Sequence, residues 1–298
     1  MDLNKKSNIR EIKNKHDFRF TKSLGQNFLA DRNVTEMIID ESDIGENDLV
    51  IEIGPGMGTL TAMAAERARK VVAIEIDSEL IPVLADTLRE YDNVGIVNND
   101  VLKTDLKQLI ADEKKEDPEI EDVRILGNLP YYITTPIIMK ILREDVPAAS
   151  ITIMMQKEVA DRIRSGPGSK TYGALSATVQ YYCEVEKVCE ASAECFIPRP
   201  KVDSEVLKLT IRPEKAVSVI DEDLFFACIK AGFAQRRKTL GNCMKQVIGP
   251  DRQKVNHLLE EAGIDPARRA ETLSLDEFAR IADQCSRGHI KKGREQNK

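Results

Sequence analysis

Short apolar runs alternate with stretches in which apolar residues recur every three or four positions, over the first two thirds of the chain. Strands buried on both faces, joined by amphipathic helices, leave this signature. Leu49–Ile53 is the clearest run, and Gly54-Pro55-Gly56-Met57-Gly58 separates it from a predicted helix over Thr59–Arg67. Further strands are predicted at Val71–Ile74, Val94–Val97, Val123–Leu126 and Ile151–Met154, the last leading into a helix over Gln156–Arg164. Val206–Ile211 reads as the final strand of the sheet. Beyond Arg212-Pro213 the period becomes helical: Leu224, Phe225, Cys228, Ile229 and Phe233 fall on one face, as core positions do. Ser274-Leu275-Asp276-Glu277 is a capping box opening a last helix, and Asp265-Pro266 is predicted to open another. The expected division is therefore 1–212 and 213–298.

The ends of the predicted strands carry the chemistry. The glycine turn follows the first, Glu75 and Asp77 the second, Asn98-Asn99-Asp100 the third, and Asn128-Leu129-Pro130-Tyr131 the fourth. In an open α/β sheet ligands bind outside the carboxyl ends of the strands, so a Rossmann-like sheet would gather these groups in one crevice. Glycines allow close backbone approach, and an acid about 20 residues after the turn is placed to receive ribose hydroxyls. The turn does not by itself choose a cofactor. Its G-x-G-x-G spacing departs from the G-x-G-x-x-G of dinucleotide sites, with Thr59 where the third glycine would stand. S-adenosylmethionine, which has an adenosine but no pyrophosphate, needs only the glycines, the acid and a polar partner for adenine, a role that Asp100 fits. Pro130 fixes its own φ and biases Leu129 toward extended backbone, so the carbonyls of that turn have nearly set directions. With the Asn128 amide oxygen as acceptor and Tyr131 as a stacking ring, the turn suits the exocyclic amine of a base.

Composition narrows the partners. The chain has 298 residues, 32% of them charged, and a net charge of −6. An apolar segment long enough to span a membrane is not expected, because Asn128, Pro130 and Pro136 interrupt the longest candidate, Ile125–Met139. A cytoplasmic location is expected. Six cysteines without a C-x-x-C pair and three scattered histidines predict no metal site. The acidic total hides basic stretches: Lys5 to Lys22, Lys230 to Lys245, and a tail with Arg287, Lys291, Lys292, Arg294 and Lys298. Arg236, Arg237 and Lys238 are read as phosphate contacts, and the weak net electrostatics would fit recognition of a folded particle rather than of naked RNA.

Six segments, in order, resemble the small-subunit rRNA adenine-N6,N6-dimethyltransferases: Leu24-Gly25-Gln26-Asn27-Phe28-Leu29, Glu52-Ile53-Gly54-Pro55-Gly56, Ile74-Glu75-Ile76-Asp77, Gly127-Asn128-Leu129-Pro130-Tyr131, Met155-Gln156-Lys157-Glu158-Val159, and Phe196-Ile197-Pro198-Arg199-Pro200-Lys201-Val202-Asp203-Ser204. The resemblance implies S-adenosylmethionine as cofactor and dimethylation of two adjacent adenosines in a hairpin loop near the 3′ end of small-subunit (16S-type) rRNA, coupled to subunit biogenesis. It implies that Asn27 and Leu29 close over the cofactor, that Gly54 and Gly56 line its methionine end, that Glu75 takes the ribose hydroxyls and Asp100 the adenine. Asn128 would touch both cofactor and target, the Leu129 or Pro130 carbonyl would hold the amine, and Tyr131 and Phe196 would sandwich the base. Tyr132 stands where several members have Asn and receives no catalytic role. The small ribosomal subunit is the implied partner, with the protein acting as a monomer. Two other readings stay open, an erythromycin-resistance-type methylase of large-subunit RNA and a non-catalytic ribosome assembly factor; an NAD dehydrogenase lacks any acid or base for hydride transfer.

Overall fold

The computed structural model describes residues 3–17 and 25–288. Packing groups the chain into two compact units, one of residues 1–160 and 184–211, the other of residues 161–183 and 212–298. The boundary expected at 212 therefore meets a finer division, because 161–183 packs with the C-terminal segment.

The first unit is an α/β sheet. Its strands are β2 (Leu49–Ile53), β3 (Lys70–Glu75), β4 (Val94–Asn98), β5 (Val123–Asn128), β6 (Ser150–Gln156), β7 (Cys183–Ala191) and β9 (Ser204–Ile211), in the order β4-β3-β2-β5-β6-β9-β7. The first five run parallel, and β9 pairs antiparallel with β6. Helices α3 (Thr59–Ala65), α4 (Ile81–Thr87), α5 (Leu106–Glu116) and α6 (Thr134–Arg143) follow β2, β3, β4 and β5 in turn. Every residue of β2 is buried, its one charged residue Glu52 included, as befits a central strand covered on both faces. The chain turns outward through β3 and β4 on one side of β2 and through β5 and β6 on the other. That reversal between β2 and β5 is the switch point at which open sheets bind ligands. Ahead of the sheet lie α1 (Lys6–Lys15), β1 (Phe28–Leu29) and α2 (Arg32–Glu41), and β1 pairs antiparallel with β8 (Phe196–Ile197). Asp31 caps α2 by accepting the Val34 N–H. Lys15 and His16, at the end of α1, both reach Asp86 on α4 and hold its carboxyl below the usual range.

The second unit is helical, from α7 (Lys157–Arg164), whose later half belongs to it, and α8 (Ala174–Tyr182) through α9 (Glu222–Ala234), α10 (Leu240–Cys243), α11 (Lys245–Ile248) and α12 (Arg252–Glu261) to α13 (Leu275–Arg287). Leu224, Phe225, Cys228 and Ile229 are buried, as their spacing predicts. The hydroxyls of Tyr181 and Tyr182 donate to Glu222 at 3.3 and 2.6 Å, which ties α8 to α9. Asp265-Pro266 opens a turn, not the helix expected of it. The Pro266 carbonyl accepts the Gly241 N–H at 3.0 Å and the Arg268 carbonyl accepts that of Leu240 at 2.8 Å, so both are unavailable to a helical ladder. The capping box at Ser274 forms, with Glu277 and Ser274 exchanging bonds of 3.0 and 3.2 Å. No helix among the described residues is long and apolar enough to cross a membrane.

Candidate active site

The carboxyl ends of β2, β3, β4 and β5 open into one cleft of about 1080 Å³, its solvent-open mouth included. Gly54, Gly56, Glu75, Asp100, Asn128, Leu129, Pro130 and Tyr131 all line it, as do Asn27 and Leu29 from the N-terminal segment. Gly54 and Gly56 have φ of +68° and +60°, the left-handed region that glycine alone enters at little cost. A Cβ on Gly54 would meet nothing within 4 Å, so the floor of the cleft is bare backbone there. A Cβ on Gly56 would come within 3.0 Å of the Phe28 ring, so glycine is what lets the N-terminal segment cross the turn.

Two buried carboxyls face this backbone. Glu75 is 5% exposed; its Oε1 accepts the Asp77 N–H at 2.8 Å and its Oε2 the Gly56 N–H at 3.4 Å. Burial outweighs those bonds and pushes the carboxyl up to about 7. Glu52, 1% exposed, accepts the Thr61 hydroxyl at 2.5 Å and is likewise raised to about 7, again by burial first. Asp77 joins them from its other side, because its Oδ2 receives the Gln26 amide at 2.6 Å. Gln26 thus latches the N-terminal segment to the end of β3.

The Asn128 turn is held from three directions. Its Nδ2 donates to the Asn27 carbonyl at 3.0 Å, while the Asn27 amide donates to the Gly25 carbonyl at 3.0 Å. A carbonyl can only accept, so this contact orients the amide and turns Oδ1 away as a free acceptor direction. The Pro130 carbonyl already accepts from the Ile133 N–H at 3.1 Å and the Thr134 hydroxyl at 3.2 Å. Both acceptor directions of the Pro130 carbonyl are thus engaged by the turn itself. Tyr131 is half-buried and shares a 2.9 Å bond with the Ser204 hydroxyl at the start of β9, which anchors the tip of its ring. Gly127 makes the approach of β5 to β2 possible, since a Cβ there would lie 2.9 Å from Leu129 and 3.2 Å from the Ile53 carbonyl.

Not every expected residue falls in place. Phe196 is 3% exposed and packs into the hydrophobic cluster of Leu29, Val34, Ala191 and Val206, outside the lining of the cleft. Phe196 is the register partner of Leu29 in the β1–β8 pair, and the two side chains belong to the same cluster. Asp100 lines the cleft, but its Oδ1 also accepts the Leu102 N–H at 2.9 Å, so the carboxylate serves its own turn as well. Arg236, Arg237 and Lys238 lie in the other unit, on the exposed turn after α9. Arg236 donates to the Lys170 carbonyl and lies 3.7 Å from Glu271, whereas neither Arg237 nor Lys238 has an acidic partner within ion-pair reach among the described residues. Arg19, Lys22, Lys291, Lys292, Arg294 and Lys298 lie outside the described residues. Sequence reasoning passed over Glu52, Gln26, Ser204 and Ile76, the last an apolar side chain 50% exposed on the cleft wall. All four sit inside the quoted segments, and only their contacts show what they do. No group of metal-ligating side chains forms among the described residues.

The sequence and the fold have counterparts among known proteins. The ribosomal RNA small subunit methyltransferase A of Alkaliphilus metalliredigens is 52% identical over 281 residues, covering 94% of this chain and 96% of that protein. The protein of the same name from Clostridioides difficile is 48% identical over 274 residues, covering 92% and 93%. Among solved structures, a dimethyladenosine transferase from Plasmodium falciparum superposes with a TM-score of 0.75 at 25% identity, covering 88% of this chain and 98% of that one. The 23S rRNA methyltransferase ErmE gives 0.65 at 25% identity, covering 87% and 99%. The family model described as ribosomal RNA adenine dimethylase matches residues 17–286, nearly the whole chain, and the chain belongs to that family.

Proposed function

We propose that the protein uses S-adenosylmethionine to dimethylate N6 of two adjacent adenosines in a hairpin loop near the 3′ end of small-subunit rRNA, as a monomer acting during subunit assembly. The observation that carries the reading is the Asn128 amide, a residue lining the cleft whose Nδ2 is held by the Asn27 carbonyl, which leaves Oδ1 to serve as the acceptor. The cleft suits the cofactor: bare backbone at Gly54, a buried carboxyl at Glu75 for ribose hydroxyls, and apolar Ile76 beside it. Bound there, S-adenosylmethionine supplies a methyl group made electrophilic by its sulfonium charge. An adenine amine is a poor nucleophile, because its lone pair is delocalised into the ring. Acceptors at Asn128 Oδ1 and the Leu129 carbonyl take its two N–H bonds and leave the lone pair directed away from both, which is catalysis by orientation. Tyr131 supports one face of the base. The proton departs after transfer, so none of the raised carboxyls has to act as a base. The second methylation leaves one N–H to hold, and the amine must rotate before it binds again.

The test is to incubate the protein and labelled S-adenosylmethionine with small subunits from a strain lacking this modification, alongside large subunits, and to digest the RNA to nucleosides. N6,N6-dimethyladenosine from the small subunit alone is expected. Label in the large subunit would move the activity to the resistance-methylase reaction, and tight particle binding without label would make the protein an assembly factor.

Arg237 and Lys238 are read as RNA phosphate contacts because both are exposed and neither has an acidic partner among the described residues. Each phosphate contact contributes a slope of roughly 0.7–0.9 in log affinity against log salt. Removing both charges is expected to lower the slope for particle binding by about 2 and affinity at low salt by about tenfold. Arg236→Ala should change the slope less, since its guanidinium is committed to Lys170 and Glu271. Equal slopes for the double variant and the wild type in filter binding would remove these phosphate contacts.

A further inference from the structure

Tyr131 and Tyr132 are the two central residues of a turn closed by the 3.1 Å bond from the Ile133 N–H to the Pro130 carbonyl, yet they are held very differently. Ser204 ties down the Tyr131 hydroxyl. Tyr132 lines the same cleft with 61% of its surface exposed, more than any other large hydrophobic residue described. The backbone at Gly25 comes close to this ring: a Cβ there would lie 3.4 Å from Cε1 and 3.5 Å from Cδ1. Gly25 has φ +63° and no side chain, so its backbone approaches the ring without placing a side chain against it.

An RNA strand that delivers one base to Asn128 must unstack it from its neighbour. The neighbour then loses a stacking partner beside the mouth of the cleft, where an open aromatic face can replace it. We propose that Tyr132 is a stacking platform for the base next to the target adenine, so that the two adjacent adenosines occupy Asn128 and Tyr132 together. This rests on the methyl-transfer reading above. It makes Tyr132 a substrate-binding residue that sets which step of the strand is presented, and it gives the second adenosine a holding place while the first reacts. The ligand chemistry is a nucleobase on the target strand, read through its π-face and hence tolerant of base identity.

The test compares wild type, Tyr132→Phe and Tyr132→Ala on unmodified small subunits, with S-adenosylmethionine affinity measured separately by calorimetry. Removing one stacked base is expected to raise KM for the particle about tenfold, with kcat within about twofold and cofactor affinity unchanged. Tyr132→Phe keeps the ring and should behave as wild type. An exposed side chain contributes little to the core, so thermal stability should be unaffected in both variants. A wild-type KM in Tyr132→Ala overturns the proposal, and so does a loss of cofactor affinity in step with KM, which would make the ring a brace for the N-terminal segment. Wild-type protein that forms no dimethyladenosine strikes the methyl-transfer reading itself, and the proposal falls with it.

Discussion

Asn128→Ala is expected to lower kcat by about a thousandfold while changing S-adenosylmethionine affinity less than threefold. Removing one preorganised polar group at a reacting centre typically costs 10²–10³ in rate, and a delocalised amine depends on orientation more than most nucleophiles. The structure gives the group its rigidity. Asn128 ends β5 in register with Met154, and its Nδ2 is fixed on the Asn27 carbonyl, so Oδ1 has one direction available. Asn128→Asp tests the same point without changing size. It replaces the donor by an acceptor facing the Asn27 carbonyl, and the resulting repulsion should displace both the side chain and the N-terminal segment, with cofactor affinity falling as well as rate. Single-turnover kinetics at saturating particle separate the two effects. A loss smaller than tenfold in Asn128→Ala would mean that the Leu129 carbonyl alone suffices to hold the amine.

The sheet and the position of the cleft were legible because both follow from local signals. Uninterrupted apolar runs mark strands buried on both faces, and β2 and β3 fall within a residue of their predicted bounds. Parallel connection then forces the polar strand ends to one edge, which is how Glu75, Asp100 and Asn128 could be grouped before any distance was known. What could not be read depends on contacts between distant segments. Gln26 with Asp77 and Tyr131 with Ser204 are pairs whose partners carry no local mark of each other. The burial of Phe196 is a contact of the same kind. In a two-residue strand its orientation is decided by pairing with Leu29, and that pairing turns it to the core. Residues 161–183 join the C-terminal helices through the aromatic contacts of Tyr181 with Phe225 and Tyr172 with Phe233, whose centroids lie 5.0 and 5.4 Å apart, and helical periodicity does not reveal such partners.

Glu75→Gln is expected to weaken S-adenosylmethionine binding about a hundredfold at pH 8 and, in the same protein, to raise the stability of the ligand-free form. Both effects come from one desolvated carboxyl. Ribose hydroxyls donate to the ionised form, so at a group raised to about 7 the wild-type affinity should climb roughly tenfold per pH unit below that value and level off above it. Glutamine does not titrate and should give a flat profile. For folding the sign runs the other way. A carboxyl whose folded value lies above its ordinary 4.5 favours the folded state fully below 4.5 and loses that contribution as pH rises through about 7. At about 1.4 kcal/mol per pH unit the loss is on the order of 3 kcal/mol by pH 8, and glutamine avoids it. Denaturant midpoints of wild type and Glu75→Gln should therefore coincide near pH 4.5 and separate toward pH 8, with the variant the more stable. Equal midpoints at pH 8 would show that the Asp77 and Gly56 N–H groups compensate the burial, and a titrating affinity in the variant would move the pH dependence to Glu52, the other raised carboxyl lining the cleft. On the reading proposed above, the cost at Glu75 falls in the same pH range in which its ionised form would take the ribose.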